Sequence, residues 1–446
     1  MKVLGRGIAI SGSVKLYAVI LLSRLIPTLY STFRIYLIGD VPDVGAYSIA
    51  SQISWLSLVI EVINDGILLP LFYVFGRYIT KPDAFSSVVS VAFRWIGGAF
   101  ILLSTFLLIF APHLVTAMGQ TPELHEITVT YIRGEIIAMT FSYVFTVAMI
   151  VLTVLGRTAS IMMLLIAQAV CMSMCDALMF GTFDFSFGLG IVGVAISSIV
   201  SNIILALYAI YILNRCGVSL LNRNRLDPIL KRSWLRISIL ASTETLVRNG
   251  AFAVMIIRIV NTVHKQGEFW LANAFIWGWL LLPILSLGDF VRRQAAVKNG
   301  YVGAGLFLYF VSTMFICALW FATFSYWGSF LQNVMGVSEP GPVIDVVNVL
   351  IGFYVVFAFN NVVDSFFYGT GRTDLMLYQS LFVNVIYYGV AFVLYQNGYF
   401  QPDIYSICLL FGGGIVVDAI LTFVLFVWIS VPQYFRAGSS AGILSK

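Results

Sequence analysis

The chain has 446 residues, of which 60% are hydrophobic and only 10% charged, and its mean hydropathy is +0.97. Soluble domains carry roughly a quarter charged residues, so lipid is the expected solvent for most of this sequence. The net charge of +5 does not point to nucleic acid, because the 25 basic residues are not pooled in one patch. The apolar runs are continuous rather than alternating in short segments, which excludes a strand-built barrel.

A hydrocarbon core of ~30 Å needs ~20 apolar residues of helix, and twelve segments meet that length. They are 15–39, 46–77, 86–110, 125–153, 160–182, 190–214, 234–261, 268–291, 300–325, 341–369, 374–396 and 403–430. Lys2 and Arg6 precede the first run. That run is too long for the core of a signal peptide, so it is read as a retained first helix. Pro27 sits inside it and should bend it. Between the sixth and seventh segments lies a polar stretch, Asn214 to Arg236, which holds six of the basic residues. The expected organisation is therefore an N-terminal lobe over 1–214, a basic linker over 215–233 and a C-terminal lobe over 234–446. Cys171, Cys175, Cys216, Cys317 and Cys408 show no framework spacing and read as packed apolar thiols. No Gly-rich phosphate loop and no His/Glu metal motif occurs, so neither catalysis nor a resident metal is expected.

With an even number of spans, eighteen Lys and Arg residues of the loops, termini and span ends fall on the side of the termini and only Lys265 on the other. That bias places both termini in the cytoplasm and the chain in a plasma or bacterial inner membrane. The two halves also resemble each other. Met118-Gly119 returns as Met335-Gly336, and Gly156-Arg157-Thr158 as Gly371-Arg372-Thr373. Ala50, Trp55 and Gly66 return as Ala272, Trp277 and Gly288. Six spans per half give a parallel repeat, with a substrate cavity expected between two lobes.

Further motifs are Phe33-Arg34-Ile35-Tyr36-Leu37-Ile38-Gly39, Gly45-Ala46-Tyr47-Ser48-Ile49-Ala50, Thr130-Tyr131-Ile132-Arg133 and Gly193-Val194-Ala195-Ile196-Ser197-Ser198. In this order, over almost the whole chain, they resemble the multidrug and toxic compound extrusion (MATE) family. The resemblance implies an all-α polytopic membrane protein with twelve transmembrane helices in two pseudo-symmetric six-helix lobes. It implies export of small organic solutes by alternating access, coupled to inward Na⁺ or H⁺, by a chain expected to act as a monomer. Many relatives carry an Asp five residues before the glycine that closes the first helix. Here that residue is Arg34, and a guanidinium neither releases its proton nor binds Na⁺. The relatives' seventh-helix acid falls near Glu244, and their tenth-helix acid has no clean counterpart, Asp364 lying about two turns later.

Charges inside spans are costly and mark sites by default. The acids are Glu61, Asp65, Glu135, Asp176, Glu244, Asp364 and Asp418, and the bases are Arg24, Arg34, Arg94, Arg133, Arg248 and Arg258. Glu61 and Asp65, four apart, share a helix face. They read either as salt-bridge partners for the first helix or as a coupling pair. Glu244 and Arg248 are spaced the same way, beside Asn249, and read as a local ion pair or as a substrate or cation site. Arg34, Arg133 and Glu135 read as an external gate. Glu61, Asp65, Glu244 and Asp364 are thus the cation-coupling candidates. Arg24, Arg34, Arg248, Asn249, Glu135 and Asp176 are candidates for substrate binding or gating. The alternative use of Arg24, Arg34 and Arg248 is to clamp the phosphate of a lipid-linked anion in a flippase.

Overall fold

In lipid a span must satisfy its backbone internally, and a helix does so within one segment. The computed structural model describes residues 2–43, 45–68, 82–220, 228–297, 303–370 and 372–441, with Leu71, Phe75 and Tyr78, and no strand occurs among them. Twelve helical segments follow the expected order. α1 is Lys2–Gly39, and α2 is a broken helix over Ala46–Leu68. α3 is Pro82–Ala117, α4 His125–Val154, α5 Thr158–Met179 and α6 Gly190–Arg215. α7 starts as Pro228–Phe252 and ends as Arg258–Thr262, and α8 comprises Gln266–Phe275 and Leu282–Val297 around a distorted turn. α9 runs over Gly303–Thr323 and Trp327–Asn333, and α10 is Pro340–Gly369. α11 joins Thr373–Leu381 to Tyr388–Gln396, and α12 is Ile404–Ala441. Among the described residues nine helices are long and apolar enough to cross a membrane. The number is ten if Gln266–Leu280 and Leu282–Ala295, bent by 53°, form one span.

Some boundaries differ from expectation. α1 begins at Lys2 and passes through Pro27 as one helix. α3 and α7 begin on Pro82 and Pro228, several residues before their apolar runs. A first-turn proline is already set at a helical φ, and its missing N–H would lack a partner there anyway. Residues 221–227 of the basic linker lie outside the described residues. Wide π-turns interrupt α2 at Asn64–Leu68, α7 at Ala253–Ile257, α8 at Ile276–Leu280 and α11 at Phe382–Tyr387. The bend in α8 falls just before Pro283, which cannot donate to the preceding turn. There the indole N–H of Trp320 donates to the Leu280 carbonyl at 3.0 Å. Gly119 and Gly336, each after its Met, both take the left-handed conformation, with φ of 77° and 71°.

The chain forms two compact units. One comprises Ile26–Leu271 and Ser329–Pro340; the other comprises Met1–Leu25, Ala272–Gly328 and Gly341–Lys446. Their boundary inside α1 falls beside Pro27.

In the first unit α4, α5 and α6 form the core, with Ile132, Ile136, Val147, Val151, Leu164 and Val194 buried. A Cβ on Gly134 would stand 2.5 Å from that of Ala195, so α4 and α6 meet almost backbone to backbone. Gly66 of α2 lies as tightly against Ser242 of α7. Close by, the indole N–H of Trp234 donates to the Ile67 carbonyl at 3.3 Å.

In the second unit the Tyr17 hydroxyl of α1 donates to the Pro283 carbonyl at 3.1 Å. Val363 and Phe367 of α10 pack with Phe423 and Phe426 of α12. α12 opens on a reciprocal cap. The Asp403 carboxylate accepts the Ser406 N–H at 2.8 Å, and the Asp403 N–H donates to the Ser406 hydroxyl at 3.0 Å. Hydrogen bonds from the Ser406 hydroxyl and N–H hold the Asp403 carboxyl below its ordinary value of 3.8. A lowered folded value means the cap contributes stability above about that pH and loses it as pH falls further. Asp403→Ala should cost about 1 kcal/mol at neutral pH, read as a lower melting temperature in detergent, and progressively less as the pH falls below 3.8.

Candidate functional site

Three sequence candidates meet inside the first unit. α1 supplies Tyr30 and Arg34, one turn apart, α4 supplies Glu135, α5 supplies Asp176, and α6 supplies Ser197 and Ser198. The close approach at Gly134 and Ala195 brings Glu135 level with the α6 serines. The Nε of Arg34 lies 3.2 Å from Asp176 Oδ2, an ion-pair distance without hydrogen-bond alignment. One terminal nitrogen of Arg34 donates to the Ser198 hydroxyl at 2.6 Å, the Val194 carbonyl at 3.2 Å and Asp176 Oδ1 at 3.4 Å. Tyr30 donates to Asp176 Oδ2 at 3.1 Å, and Ser197 makes a short hydrogen bond to Asp176 Oδ1. The Ser198 hydroxyl donates in turn to Glu135 at 2.8 Å, linking the second carboxylate to the guanidinium through one hydroxyl. Asp176 is fully buried and Glu135 nearly so. Charge-assisted hydrogen bonds of this kind are roughly twice as strong as neutral ones. With every group ionised, two carboxylates face one guanidinium, so the cluster holds one negative charge in excess.

Arg133, expected beside Arg34 in a gate, faces elsewhere. Its Nε donates to the Leu108 carbonyl at 3.4 Å near the surface.

A second group joins α2 to α7 in the same unit. Glu61 accepts from the Asn249 amide at 2.8 Å and lies 3.8 Å from Arg248, both partly exposed. The Asn249 amide also donates to the Leu58 carbonyl at 2.9 Å. The seventh-helix candidates Arg248 and Asn249 thus meet Glu61 within one packing unit. The side chains of Asp65 and Glu244 lie outside the described residues, so the pairings expected for them are not described.

Arg24 pairs with Asp289 of α8, 2.6 Å away in the second unit. Arg292, one turn on, lies 3.9 Å from the same carboxylate. Asp364, on α10 of that unit, accepts from Asn360 and Thr422. Among the described residues no group of three or more His, Cys, Asp or Glu could hold a metal, and the five cysteines are free.

Tyr30, Ser197, Ser198 and Asp289 were not singled out from sequence. The two serines were visible in Gly193–Ser198, but only as a family motif.

No protein-family model matches the chain, and no curated protein matches it. Solved structures do. One, described as the inward-facing conformation of a multidrug resistance MATE family transporter of the MOP superfamily, has a TM-score of 0.72 at 17% identity. It covers 93% of this chain and 99% of its own. Another, the outward-facing conformation of a multidrug resistance MATE family transporter, scores 0.65 at 15% identity, covering 93% of this chain and 94% of that one. A MOP superfamily transporter from Pyrococcus furiosus, whose description reports a binding pocket of reverse polarity that suggests a different function, also scores 0.65 at 15% identity with the same coverage. Over more than nine-tenths of its length, the chain has the fold of the MATE transporters of the MOP superfamily.

Proposed function

We propose that this protein is a secondary active transporter that exports small organic solutes by alternating access, coupled to the inward movement of H⁺ or Na⁺. The observation that carries the reading is the buried Arg34–Asp176–Glu135 cluster, set in spans of a chain with an exporter fold. An unpaired charge in a span costs several kcal/mol. A proton or a monovalent cation cancels the one negative charge in excess, and its departure leaves the cluster short of it again. Arg34 fills the position of the relatives' acid, and in this reading coupling passes to Asp176 and Glu135, with Arg34 as their fixed counter-ion.

The flippase alternative needs arginines that can turn to a phosphate. Arg24, Arg34 and Arg248 each face a carboxylate, which favours the exporter. We further propose a plasma-membrane location with both termini cytoplasmic, from the eighteen-to-one bias in loop Lys and Arg. The halves 1–214 and 234–446 are read as repeats on the paired motifs.

The test is efflux of a cationic dye from cells and its transport in proteoliposomes under an imposed Na⁺ or pH gradient. Transport should depend on one of these gradients and fall at least about tenfold in Glu135→Gln, equivalent to ~1.4 kcal/mol. Gradient-independent movement, or a Glu135→Gln protein that still couples fully, would refute the assignment.

A further inference from the structure

Among the described residues Asp364 and Asp418, two partly buried acids of the second unit, have no basic partner at ion-pair distance. Asn360 and Asp364 lie four apart on α10, and Asp418 and Thr422 four apart on α12, so each pair shares a helix face. α11 adds Gln379. One nitrogen of Asn360 donates to both carboxylates, at 3.0 Å to Asp364 Oδ2 and 2.9 Å to Asp418 Oδ2. The Thr422 hydroxyl donates to Asp364 Oδ1 at 3.1 Å. The Gln379 amide donates to Asp418 Oδ1 at 2.7 Å and to the Asp418 carbonyl at 3.3 Å.

Every donor in this ring is neutral. Among the described residues no Lys or Arg lies within 4.0 Å of either carboxylate. Neutral donors satisfy lone pairs without cancelling charge, so the ring is up to two negative charges in excess inside helices long and apolar enough to span.

A second observation points the same way. Asn360 and Gln379 are 1% and 5% exposed, and the carbonyl oxygens of both amides are buried with no hydrogen-bond partner among the described residues. A buried acceptor left unmade costs ~1–3 kcal/mol. Both orphaned oxygens belong to amides that already touch the carboxylates. Rotating the Asn360 amide half a turn exchanges its nitrogen for its oxygen and turns the bridging donor into a ligand. The donor set is then carboxylate, amide carbonyl and hydroxyl oxygen, without nitrogen or sulfur. That set suits hard cations and not transition metals. Asp364 and Asp418 are themselves only partly buried.

We infer that Asp364, Asp418, Asn360 and Gln379, with Thr422, form a binding site for a hard, oxygen-seeking cation between α10, α11 and α12. One proton shared by the carboxylates leaves the charge for Na⁺; both ionised, they match Ca²⁺. The site stands apart from the Arg34 cluster, and its occupancy is independent of whether the chain transports.

The test is thermal unfolding of the purified full chain in detergent during titration with NaCl or CaCl₂, with choline chloride holding ionic strength constant. A Glu135→Gln background removes the excess charge of the Arg34 cluster. A ligand that binds only the folded state raises Tm with its concentration and saturates logarithmically. We expect such a rise with Na⁺ or with Ca²⁺, and the effective cation identifies the charge state. The midpoint should move at least about tenfold higher in Asp364→Asn and in Asn360→Leu. Equilibrium binding of ²²Na⁺ or ⁴⁵Ca²⁺ to the Glu135→Gln chain gives the same answer should a ring variant fail to fold. No cation-specific rise and no radiolabel binding in that background would overturn the site, as would an unchanged midpoint in a folded Asp364→Asn protein.

Discussion

Asp176→Ala is expected to be among the most destabilising single substitutions, lowering stability by about 3–5 kcal/mol, the usual cost of removing one partner of a buried ion pair. The loss follows from what remains. Arg34 keeps Ser198 and the Val194 carbonyl, but its only directly contacting counter-charge among the described residues is gone, and Tyr30 and Ser197 lose their common acceptor. Arg34→Met should cost a similar amount for the opposite reason, since it leaves Asp176 and Glu135 facing each other with no cation. Replacing all three charges together, as Arg34→Met/Asp176→Asn/Glu135→Gln, should recover most of the loss, because a matched neutral set avoids the desolvation that either single variant exposes. Thermal unfolding in detergent of the three proteins decides the matter. If Asp176→Ala melts within about 1 kcal/mol of the parent, the Arg34–Asp176 pair does not hold the unit together.

Gly66→Ala is the second large effect. A Cβ at this position would stand 2.7 Å from the Cβ of Ser242 and 2.8 Å from its Cα. The second contact is to backbone, so a rotamer change cannot relieve it and α2 must move away from α7. Overpacking of this kind costs about 1–3 kcal/mol, and it acts five residues from Glu61, where α2 holds Asn249 and Arg248. Ser242→Gly in the same chain should restore part of the loss but not all of it. Full rescue, measured as a return of the melting temperature, would show that the side chain and not the backbone sets the spacing.

The spans were legible because lipid forces a helix to declare itself as a long apolar run. α10 was expected at 341–369 and is found at Pro340–Gly369. The π-turns were not legible, since a run such as Phe382–Tyr387 carries no residue that an ordinary helix would refuse. Among the site residues, Arg34, Glu135 and Asp176 stood out as charges where charge is expensive. Their mutual contact did not, because Arg34 meets acids more than a hundred residues away, Asp176 directly and Glu135 through a hydroxyl, Ser198, that looks like any other small residue of a helix interface. Asp289 was not legible as a partner of Arg24 either, since the two are 265 residues apart and meet only in the fold, 2.6 Å from each other.

The interchange of segments between the two packing units has a consequence for how the polypeptide can be divided. A cut in the linker at 221–227 would separate Tyr17 from Pro283 and Arg24 from Asp289, while stripping Glu61 of Asn249. Neither fragment would then carry its complete set of contacts, so each is expected to be less stable alone than when the two are expressed together.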